Sequence, residues 1–361
     1  MPNSKIIGDN KIIAPSLLHS VSLPRTGQII ENNIWLAPMA GTSDLPFRSI
    51  CRRFGAGLTV TELVSARGIR YSGTEGGNAR YLAIDPKAGP VWIQLFGYEA
   101  KDFTAACEII LAHPLYSQCD GIDINMGCPV KKVVRTGAGS ALLENPKVAV
   151  EIVKAVKKAL HGTKKSVSVK FRKGFASGEC KAPLFAVQLA AAGADLLTLH
   201  GRTASQMYSG NADWESIGLT VEALQNNGFK IPLIANGDID STSSVKTVLS
   251  KTGADGVMIG RAAQGNPWIF KTIRQELLGQ GSLTPPTPRE KITVIMEHLD
   301  GLIQLCGEAV AVREMRARLH DYIKGSHRAA SFREQSVKVS RRSEVVALLT
   351  EWNQAQDLPL I

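Results

Sequence analysis

A thiol, three cations and a glycine-rich run follow one another in DINMGCPVKKVVRTGAGSALL, residues 123–143. Cys128 comes directly after an apolar run with the composition of a buried strand, and a proline follows it. A thiol has an ordinary pKa of about 8.5, so it is protonated at neutral pH and can donate its proton to a reacting carbon. The stretch predicts a proton donor on a mobile loop, and its cations Lys131, Lys132 and Arg135 are candidates for contact with phosphate groups.

Further residues capable of chemistry stand at the ends of other apolar runs. These are Pro38, Met39 and Ala40, then Glu62, Gln94, Asn125, Lys170 with Arg172, His200 with Arg202, Asn236, Gly237 and Asp238, and Gly260 with Arg261. Each has an ordinary structural explanation when it is taken alone: a small buried thiol for Cys128, a strand-end lysine for Lys170, a core imidazole for His200 and a turn for residues 236–238. Their concentration at the ends of successive runs favours one shared site.

The elements that must position these residues are short apolar runs that alternate with helical patterns. The runs cover residues 34–38, 58–62, 91–96, 121–126, 167–171, 195–200, 231–236 and 256–260, with helices predicted between them, for example over 145–160 and 183–193. This count and length predict a (β/α)₈ TIM barrel over residues 27–280, with the active site at the C-terminal ends of its strands. A doubly wound open sheet is the alternative, but it is expected to carry GxGxxG after its first strand, and APMAGTSD does not match.

The alternation stops at GQGSLTPPTPRE, residues 279–290, from which we predict a linker over 281–290. Amphipathic patterns over 289–307, 308–325 and 343–355 then predict a small C-terminal helical domain, residues 291–361. Basic residues crowd the middle of this tail, and Arg316, Lys324 and Arg328 are its candidates for contact with a nucleic-acid backbone. A salt-bridged helix surface is the alternative. Residues 1–26 match no motif and form an extension with no role assigned.

Composition restricts the kind of protein and its partners. A net charge of +10 and a pI near 9.3 favour a polyanionic partner, with nucleic acid first. No run of 18 apolar residues exists, which argues against a membrane span, and the N-terminus lacks the apolar core of a signal peptide, so we expect a cytoplasmic protein. The six cysteines are widely spaced without a C-x-x-C pair, which argues against a zinc site and a disulfide framework.

Glycines after the last two apolar runs predict a phosphate site. ANGDI and IGRAAQGNP place backbone N–H groups where barrels of this type often hold a phosphate. With the apolar APMAG segment and the amide of Gln94, the site suits a mononucleotide such as a flavin. Lys170 then stands beside the N1/C2 oxygen region, where a cation stabilises the reduced anion.

Six blocks carry a family resemblance that runs from about residue 27 to about residue 340. The blocks LAPMAGTSDLPFR, DINMGCPVKKVVRTGAGSALL, VKFRKG, LHGRTASQMYSGNADW, IANGDI and MIGRAAQGNPW resemble the signatures of the tRNA-dihydrouridine synthases, most of all the bacterial B-type subgroup. The resemblance implies FMN-dependent reduction of uridine in tRNA to 5,6-dihydrouridine, with NADPH or NADH as the reductant. No metal and no obligate protein partner are expected.

The resemblance also implies roles for individual residues. Cys128 matches the family's proton donor, which protonates C5 of the uracil after the reduced flavin has delivered hydride to C6. Asn125 and Arg172 are suited to hold the polar edge of the uracil, and Lys131, Lys132 and Arg135 to meet the RNA backbone. The implied FMN contacts are Pro38, Met39, Ala40, Gln94, Lys170, His200, Asn236, Gly237, Asp238, Gly260 and Arg261.

Three other functions are compatible with parts of this pattern. An FMN barrel acting on a free pyrimidine, as dihydroorotate dehydrogenases do, explains the flavin chemistry but not the basic tail. A Schiff-base aldolase using Lys170 predicts no flavin. An RNA-binding protein that keeps the barrel only as a scaffold does not require Cys128, Lys170 and His200. Flavin absorbance in the purified protein separates the flavin enzymes from the aldolase.

Overall fold

A computed structural model of the chain describes residues 17–356. Most of the predicted extension over 1–26 and the last residues of the predicted helical domain, 357–361, therefore lie outside the described residues. Within the described range, no helix is both long enough and apolar enough to cross a membrane.

Eight parallel strands close into a barrel, which confirms the predicted fold class. The strands are β1 Ile34–Leu36, β2 Thr59–Val60, β3 Val91–Phe96, β4 Gly121–Met126, β5 Ser166–Gly174, β6 Leu196–Thr203, β7 Leu233–Asn236 and β8 Gly256–Ile259. Each pairs with its neighbours in chain order, and β8 pairs with β1 to complete the ring. A further two-residue strand, Val64–Ser65, pairs with the end of β3. Both predicted runs over 91–96 and 121–126 are strands over their whole length.

The pairing between strands is not equally extensive all the way round the ring. β4 and β5 share six paired positions, from Gly121 opposite Ser166 to Met126 opposite Phe171. β1 and β2 share one, Leu36 opposite Thr59. The seam between β1 and β2 is held by the backbone hydrogen bonds from Leu36 to Leu58 and from Gly57 to Ile34.

A helix follows every strand of the barrel. These helices are α1 Leu45–Arg53, α2 Ala66–Ser72, α3 Ala100–Ala112, α4 Pro146–Ala159, α5 Ala182–Ala192, α6 Glu215–Asn226, α7 Thr242–Thr252 and α8 Trp268–Leu277. In α4, Ala149, Ile152, Val153 and Val156 are buried, and their spacing places them on one face of the helix. Burial of such apolar stripes against the strands builds the outer layer of the barrel's core.

A two-stranded hairpin precedes the barrel. Its strands, Val21–Leu23 and Gln28–Ile30, pair antiparallel and lie on both sides of the predicted boundary between residues 26 and 27. Val21, Leu23 and Ile30 share one buried cluster with Trp35 and Trp92 of the barrel. The hairpin is therefore part of the barrel's packing, although its three-residue strands are too short to give a periodic signal in the sequence.

Four helices form the C-terminal part of the described chain. They are α9 Pro288–Cys306, α10 Glu308–Ile323, α11 Ala329–Ser336 and α12 Arg342–Gln356. Thr287 and Glu290 form a capping box that starts α9, and residues 281–287 before it contain no helix or strand. The helices bury a cluster of their own, which includes Leu299, Met315 and Trp352, and α9 packs on α1 of the barrel. The sequence did not predict α11, which has eight residues and buries only Phe332 and Ser336.

Candidate active site

Strand register places the predicted polar residues side by side at one end of the barrel. Gln94 of β3 lies opposite Asp123 of β4, which lies opposite Ser168 of β5. Two positions further along β4 and β5, Asn125 lies opposite Lys170. His200 of β6 lies opposite Arg172 and Asn236. The structure thus brings together residues from five successive strands, β3 to β7.

A buried hydrogen-bonded network fixes the amide of Gln94. Its Nε2 donates to Asp123 Oδ2 at 2.6 Å, and its Oε1 accepts from Asn125 Nδ2 at 2.9 Å. Ser168 Oγ donates to the other carboxylate oxygen of Asp123. Burial raises the pKa of Asp123 to about 6, although the bonds from Ser168 and Gln94 oppose that rise. Asp123 and Ser168 were not among the predicted site residues. Both are polar residues within otherwise apolar strands, and this feature of the sequence could have identified them.

Cys128 sits on a loop that the end of β4 anchors. Asn125 Oδ1 accepts hydrogen bonds from the backbone nitrogens of Gly127 at 3.1 Å and Cys128 at 2.9 Å. The carbonyl of Cys128 accepts from the nitrogen of Ser140 at 3.0 Å. Gly139 has a φ of +62°, and a Cβ there would lie 2.7 Å from the Cys128 oxygen, so only glycine fits. Both polar atoms of Asn125 are thus engaged within the protein.

The thiol of Cys128 is half-buried, and its environment keeps it protonated. Burial raises its pKa, while the backbone at Val130 and the charge of Arg172 act in the opposite direction. The segment beyond it contains a short helix at Lys131–Val134 and a 3₁₀ helix at Gly139–Glu144. The side chains of Lys131, Lys132 and Arg135 are exposed, and none forms a salt bridge within residues 17–356.

Arg172 joins the Cys128 loop to the loop after β6. Its Nε donates to the carbonyl of Gly127 at 3.0 Å, and its Nη1 donates to the carbonyls of Thr203 at 2.9 Å and Met207 at 2.8 Å. The residue is 3% exposed. These contacts give the guanidinium a positioning role, with most of its donors already used inside the protein.

Cations surround His200. Burial, followed by the nearby charges of Lys170, Arg172, Arg202 and Arg261, lowers the pKa of His200 well below its ordinary value. The imidazole is therefore neutral at physiological pH. Lys170 Nζ donates to Asn236 Oδ1 at 2.8 Å, and burial, then the charge of Arg172, lowers the lysine pKa to about 8. The site concentrates positive charge while keeping its histidine uncharged.

Asp238 orients two of these arginines. Its Oδ2 accepts from Arg202 Nη2 at 2.7 Å and from the nitrogen of Ala212 at 2.7 Å, while its Oδ1 accepts from Arg261 Nη2 at 2.9 Å. Arg202 is buried, and its Nη1 finds no hydrogen-bond partner among residues 17–356. Gly237 has a φ of +112°, and a Cβ there would lie 2.8 Å from His200 Cδ2. Two arginines on one carboxylate, beside a glycine, leave a net positive cradle that suits an anion.

The loop after β1 forms another side of the site. Met39 N donates to Ser43 Oγ at 2.8 Å, and Gly41 N donates to Glu62 Oε2 at 2.6 Å. Pro38 and Met39 are half-buried and Ala40 is exposed. Gly260, after β8, has Met39 Sδ within 3.7 Å of the position that a Cβ would take. The predicted residues after β1 and β8 therefore approach each other.

The three basic residues selected in the tail differ in their surroundings. Arg316 is half-buried, and its Nε donates to the carbonyl of Val339 at 2.9 Å, so it holds α10 to the segment before α12. Lys324 and Arg328 are exposed, and neither forms a salt bridge with another described residue. Lys324 and Arg328 are thus free to meet a polyanion.

Comparison with known proteins identifies relatives of the whole arrangement. The family model described as "Dihydrouridine synthase (Dus)" matches residues 35–357. The chain is 36% identical to a probable tRNA-dihydrouridine synthase of Rickettsia conorii, with 84% of this chain and 88% of that protein aligned. It is 37% identical to tRNA-dihydrouridine synthase B of Pseudomonas putida, over 84% of this chain and 86% of that protein. For tRNA-dihydrouridine synthase B of Vibrio cholerae the identity is 38%, over 84% and 90%.

Solved structures share the fold at low sequence identity. A 2-naphthoyl-CoA reductase complex superposes with a TM-score of 0.55 at 11% identity, covering 72% of this chain and 52% of that one. An old yellow enzyme homologue from Zymomonas mobilis gives 0.51 at 16%, covering 77% and 96%. These likenesses agree with the barrel seen here.

Proposed function

The chain belongs to the dihydrouridine synthase family, and from that premise we propose that it reduces uridine in tRNA to 5,6-dihydrouridine with FMN as cofactor and NADPH or NADH as reductant. The observation that carries the proposal is the hydrogen bond that joins the backbone of Cys128 to Asn125 at the end of β4. The backbone nitrogen of Cys128 donates to Asn125, and Arg172 donates to the carbonyl of Gly127, so the residue that carries the protonated thiol is fixed beside a site lined by cations. A site of this composition can bind an anionic cofactor and deliver a proton above it.

The described residues fit FMN. Gly237, Gly260, Arg261 and the buried Arg202, whose Nη1 has no partner among the described residues, would receive the phosphate. Pro38, Met39 and Ala40 would line the ring, with Gln94 as a polar contact and Lys170 and His200 beside its polar edge. Asn236 and Asp238 would hold Lys170 and the two arginines in place. When bound, the reduced flavin supplies hydride to C6 of the uracil.

Cys128 then protonates C5. A thiol whose pKa is raised by burial is fully protonated at neutral pH, so the proton is available in every turnover. The neutral state of His200 avoids placing another cation at the site's centre. Asn125 Oδ1 and Arg172 Nε hold the Cys128 loop, so we assign both residues a positioning role toward the uracil as well as toward the thiol.

The substrate RNA would lie across the exposed cations. Lys131, Lys132 and Arg135 project from the Cys128 segment, and Lys324 and Arg328 lie at and beyond the end of α10. Arg316 supports that surface through its bond to Val339. The proposed substrate is tRNA, and no obligate protein partner is proposed. The proposed location of the enzyme is the cytoplasm.

Two measurements test the proposal together. The cofactor that heat releases from the purified protein is identified by mass, and dihydrouridine is quantified in an unmodified tRNA substrate after incubation with protein and NADPH. We expect FMN and new dihydrouridine. Recovery of FAD or of no flavin, or a tRNA left unmodified by a flavin-replete protein, would contradict the proposal.

A further inference from the structure

Gly41, in the loop after β1, is held through both of its backbone polar groups by two buried side chains. Its N–H donates to Glu62 Oε2 at 2.6 Å, and its carbonyl accepts from Arg318 Nη2 at 2.9 Å. Glu62 follows β2 in the barrel, whereas Arg318 belongs to α10 of the tail. The loop that carries Pro38, Met39 and Ala40 is thus pinned by one residue of each part of the molecule.

The same nitrogen of Arg318 binds a second group next to that loop. Arg318 Nη2 lies 3.0 Å from Asp44 Oδ2, and Asp44 Oδ1 accepts from the nitrogen of Phe47 at 3.0 Å to cap α1. His298 of α9 lies 3.2 Å from both oxygens of Asp44. Burial opposes ionisation of Asp44, but His298 and Arg318 outweigh it and lower its pKa to about 2. The start of α1 is therefore locked to two helices of the tail.

α10 also packs against the loop after β8. Gly265 of that loop has a φ of +63°, and a Cβ there would overlap the backbone of Asp321 and Tyr322. Gln264 Nε2, one residue earlier, donates to Thr42 Oγ1 at 3.2 Å and so joins this loop to the loop after β1. Helix α10 therefore contacts the loop after β1, which would line the FMN ring, and the loop after β8, which would help to hold the FMN phosphate.

Arg318 is a costly residue for packing alone. It is 6% exposed, and its Nε and Nη1 have no hydrogen-bond partner among residues 17–356. Leaving buried donors unpaired is unfavourable, so these two groups reduce the net stabilisation that the contacts of Arg318 provide. The contacts of Nη2 with Gly41 and Asp44 are what a methionine cannot supply.

We propose that Arg318 is a positioning residue for the cofactor site: by holding the Gly41 carbonyl, it fixes the loop after β1 in the conformation that retains FMN. The inference rests on the proposed function, because it takes Pro38, Met39 and Ala40 as one wall of the FMN site. It assigns the tail a task besides contact with RNA. Packing of α10 sets how long the barrel keeps its cofactor.

Another contact between tail and barrel provides a matched control. Arg53, the last residue of α1, donates to both carboxylate oxygens of Glu297 in α9, from Nη1 at 2.7 Å and from Nη2 at 2.6 Å. Neither residue forms a salt bridge with Arg318 or a hydrogen bond with Gly41 among the described residues. Arg53→Gln therefore removes a contact between tail and barrel and leaves the contacts of Arg318 in place.

The test is the rate of FMN release from the full-length holoprotein, measured after dilution by the rise of free flavin fluorescence. We expect Arg318→Met to release FMN about tenfold or more faster than the wild type, as removal of a charge-assisted hydrogen bond implies. Arg318→Lys keeps a cation on a shorter side chain and should fall between the two. Arg53→Gln should release FMN within about twofold of the wild-type rate.

The outcomes are separable. If Arg318→Met melts at a lower temperature but releases FMN at the wild-type rate, Arg318 has only a structural role and the proposal is wrong. If Arg318→Met does not fold, Arg318→Lys decides, since wild-type release from this variant at a lowered melting temperature would overturn the proposal equally. Absence of FMN from the wild-type protein would instead contradict the proposed function.

Discussion

Asn125 Oδ1 lies 2.9 Å from the backbone nitrogen of Cys128, while Nδ2 of the same amide donates to Gln94. One side chain thus connects the residue assigned as proton donor to the buried network beneath it. The position of the thiol depends on the strand ends more than on the flexibility of its own loop.

Replacing the thiol tests its role directly. Cys128→Ala should keep its flavin and slow tRNA-dependent oxidation of the reduced flavin by about 10²–10⁴-fold, the usual contribution of a positioned general acid. The exposed Cys180 is the matched control, and Cys180→Ala should react at the wild-type rate. Because burial raises the pKa of Cys128, the wild-type rate of this step should stay level through neutral pH and fall only above the ordinary thiol range. An alanine variant as fast as the wild type would mean that another group donates the proton.

Lys170 should give flavin reduction a dependence on alkaline pH. Its pKa is lowered to about 8, so the cation is present below that pH and is lost as the pH rises through it. We expect NADPH-driven flavin reduction to decline at or above pH 8 in the wild type, since an anionic cofactor favours the charged lysine. Lys170→Met should react about tenfold more slowly at neutral pH and lack this decline. Lys165→Met removes a lysine at the opposite end of β5, where Nζ donates to the Cys119 carbonyl, and should retain the wild-type profile.

Asp123 should lower the stability of the fold as the pH rises. Its folded pKa, about 6, exceeds the ordinary 3.8, so the folded state holds this proton longer than the unfolded state does. The free energy of unfolding of the wild type should therefore fall, relative to Asp123→Asn, by about 3 kcal/mol at most between pH 4 and 6. Denaturant titrations across that range measure the difference. Ser168→Ala removes a hydrogen bond that lowers the pKa of Asp123, so the fall in the free energy of unfolding should continue to a higher pH in this variant. If the free energies of the wild type and Asp123→Asn differ by the same amount at every pH, the raised pKa of Asp123 is wrong.

Exposed cations of the tail should contribute to RNA affinity through counterion release. Lys324→Ala with Arg328→Ala should flatten the slope of log affinity for tRNA against log salt by roughly 0.7–0.9 for each phosphate that the variant no longer neutralises. Both side chains are exposed and make no salt bridge with another described residue, whereas Arg316 is unsuitable because it holds Val339. The control pair, Lys154→Ala with Lys251→Ala, changes exposed lysines on α4 and next to the end of α7. An unchanged slope for Lys324→Ala with Arg328→Ala would mean that neither side chain contacts the RNA.

Much of the barrel could be predicted because most of its strands lie within apolar runs bounded by turn residues. β3 and β4 were predicted to the residue, since each is buried along nearly its whole length and ends in turn residues. The hairpin before the barrel and α11 gave no such signal, because three-residue strands and an eight-residue helix bury too few residues to produce a period.

The residues of the candidate site could be proposed from the sequence for the same topological reason: parallel strands bring their C-terminal ends together. Their partners were not found. Nothing in the sequence near Asn125 or Arg172 indicates that backbone groups of the Cys128 loop occupy their polar atoms. The contact between Arg318 and Gly41 spans 277 positions in the chain and depends on how the tail packs, which local patterns do not determine.

The sparsely paired seam between β1 and β2 adds a dynamic consequence. With one paired position there and six between β4 and β5, amide protons at the seam should exchange with solvent through local opening well before those of β5. The loop that starts at Pro38 leaves the barrel at this weakest edge, and Glu62 and Arg318 fasten it a few residues beyond. A breathing motion of the barrel would thus begin beside this loop and leave the more extensively paired β4–β5 side of the barrel closed.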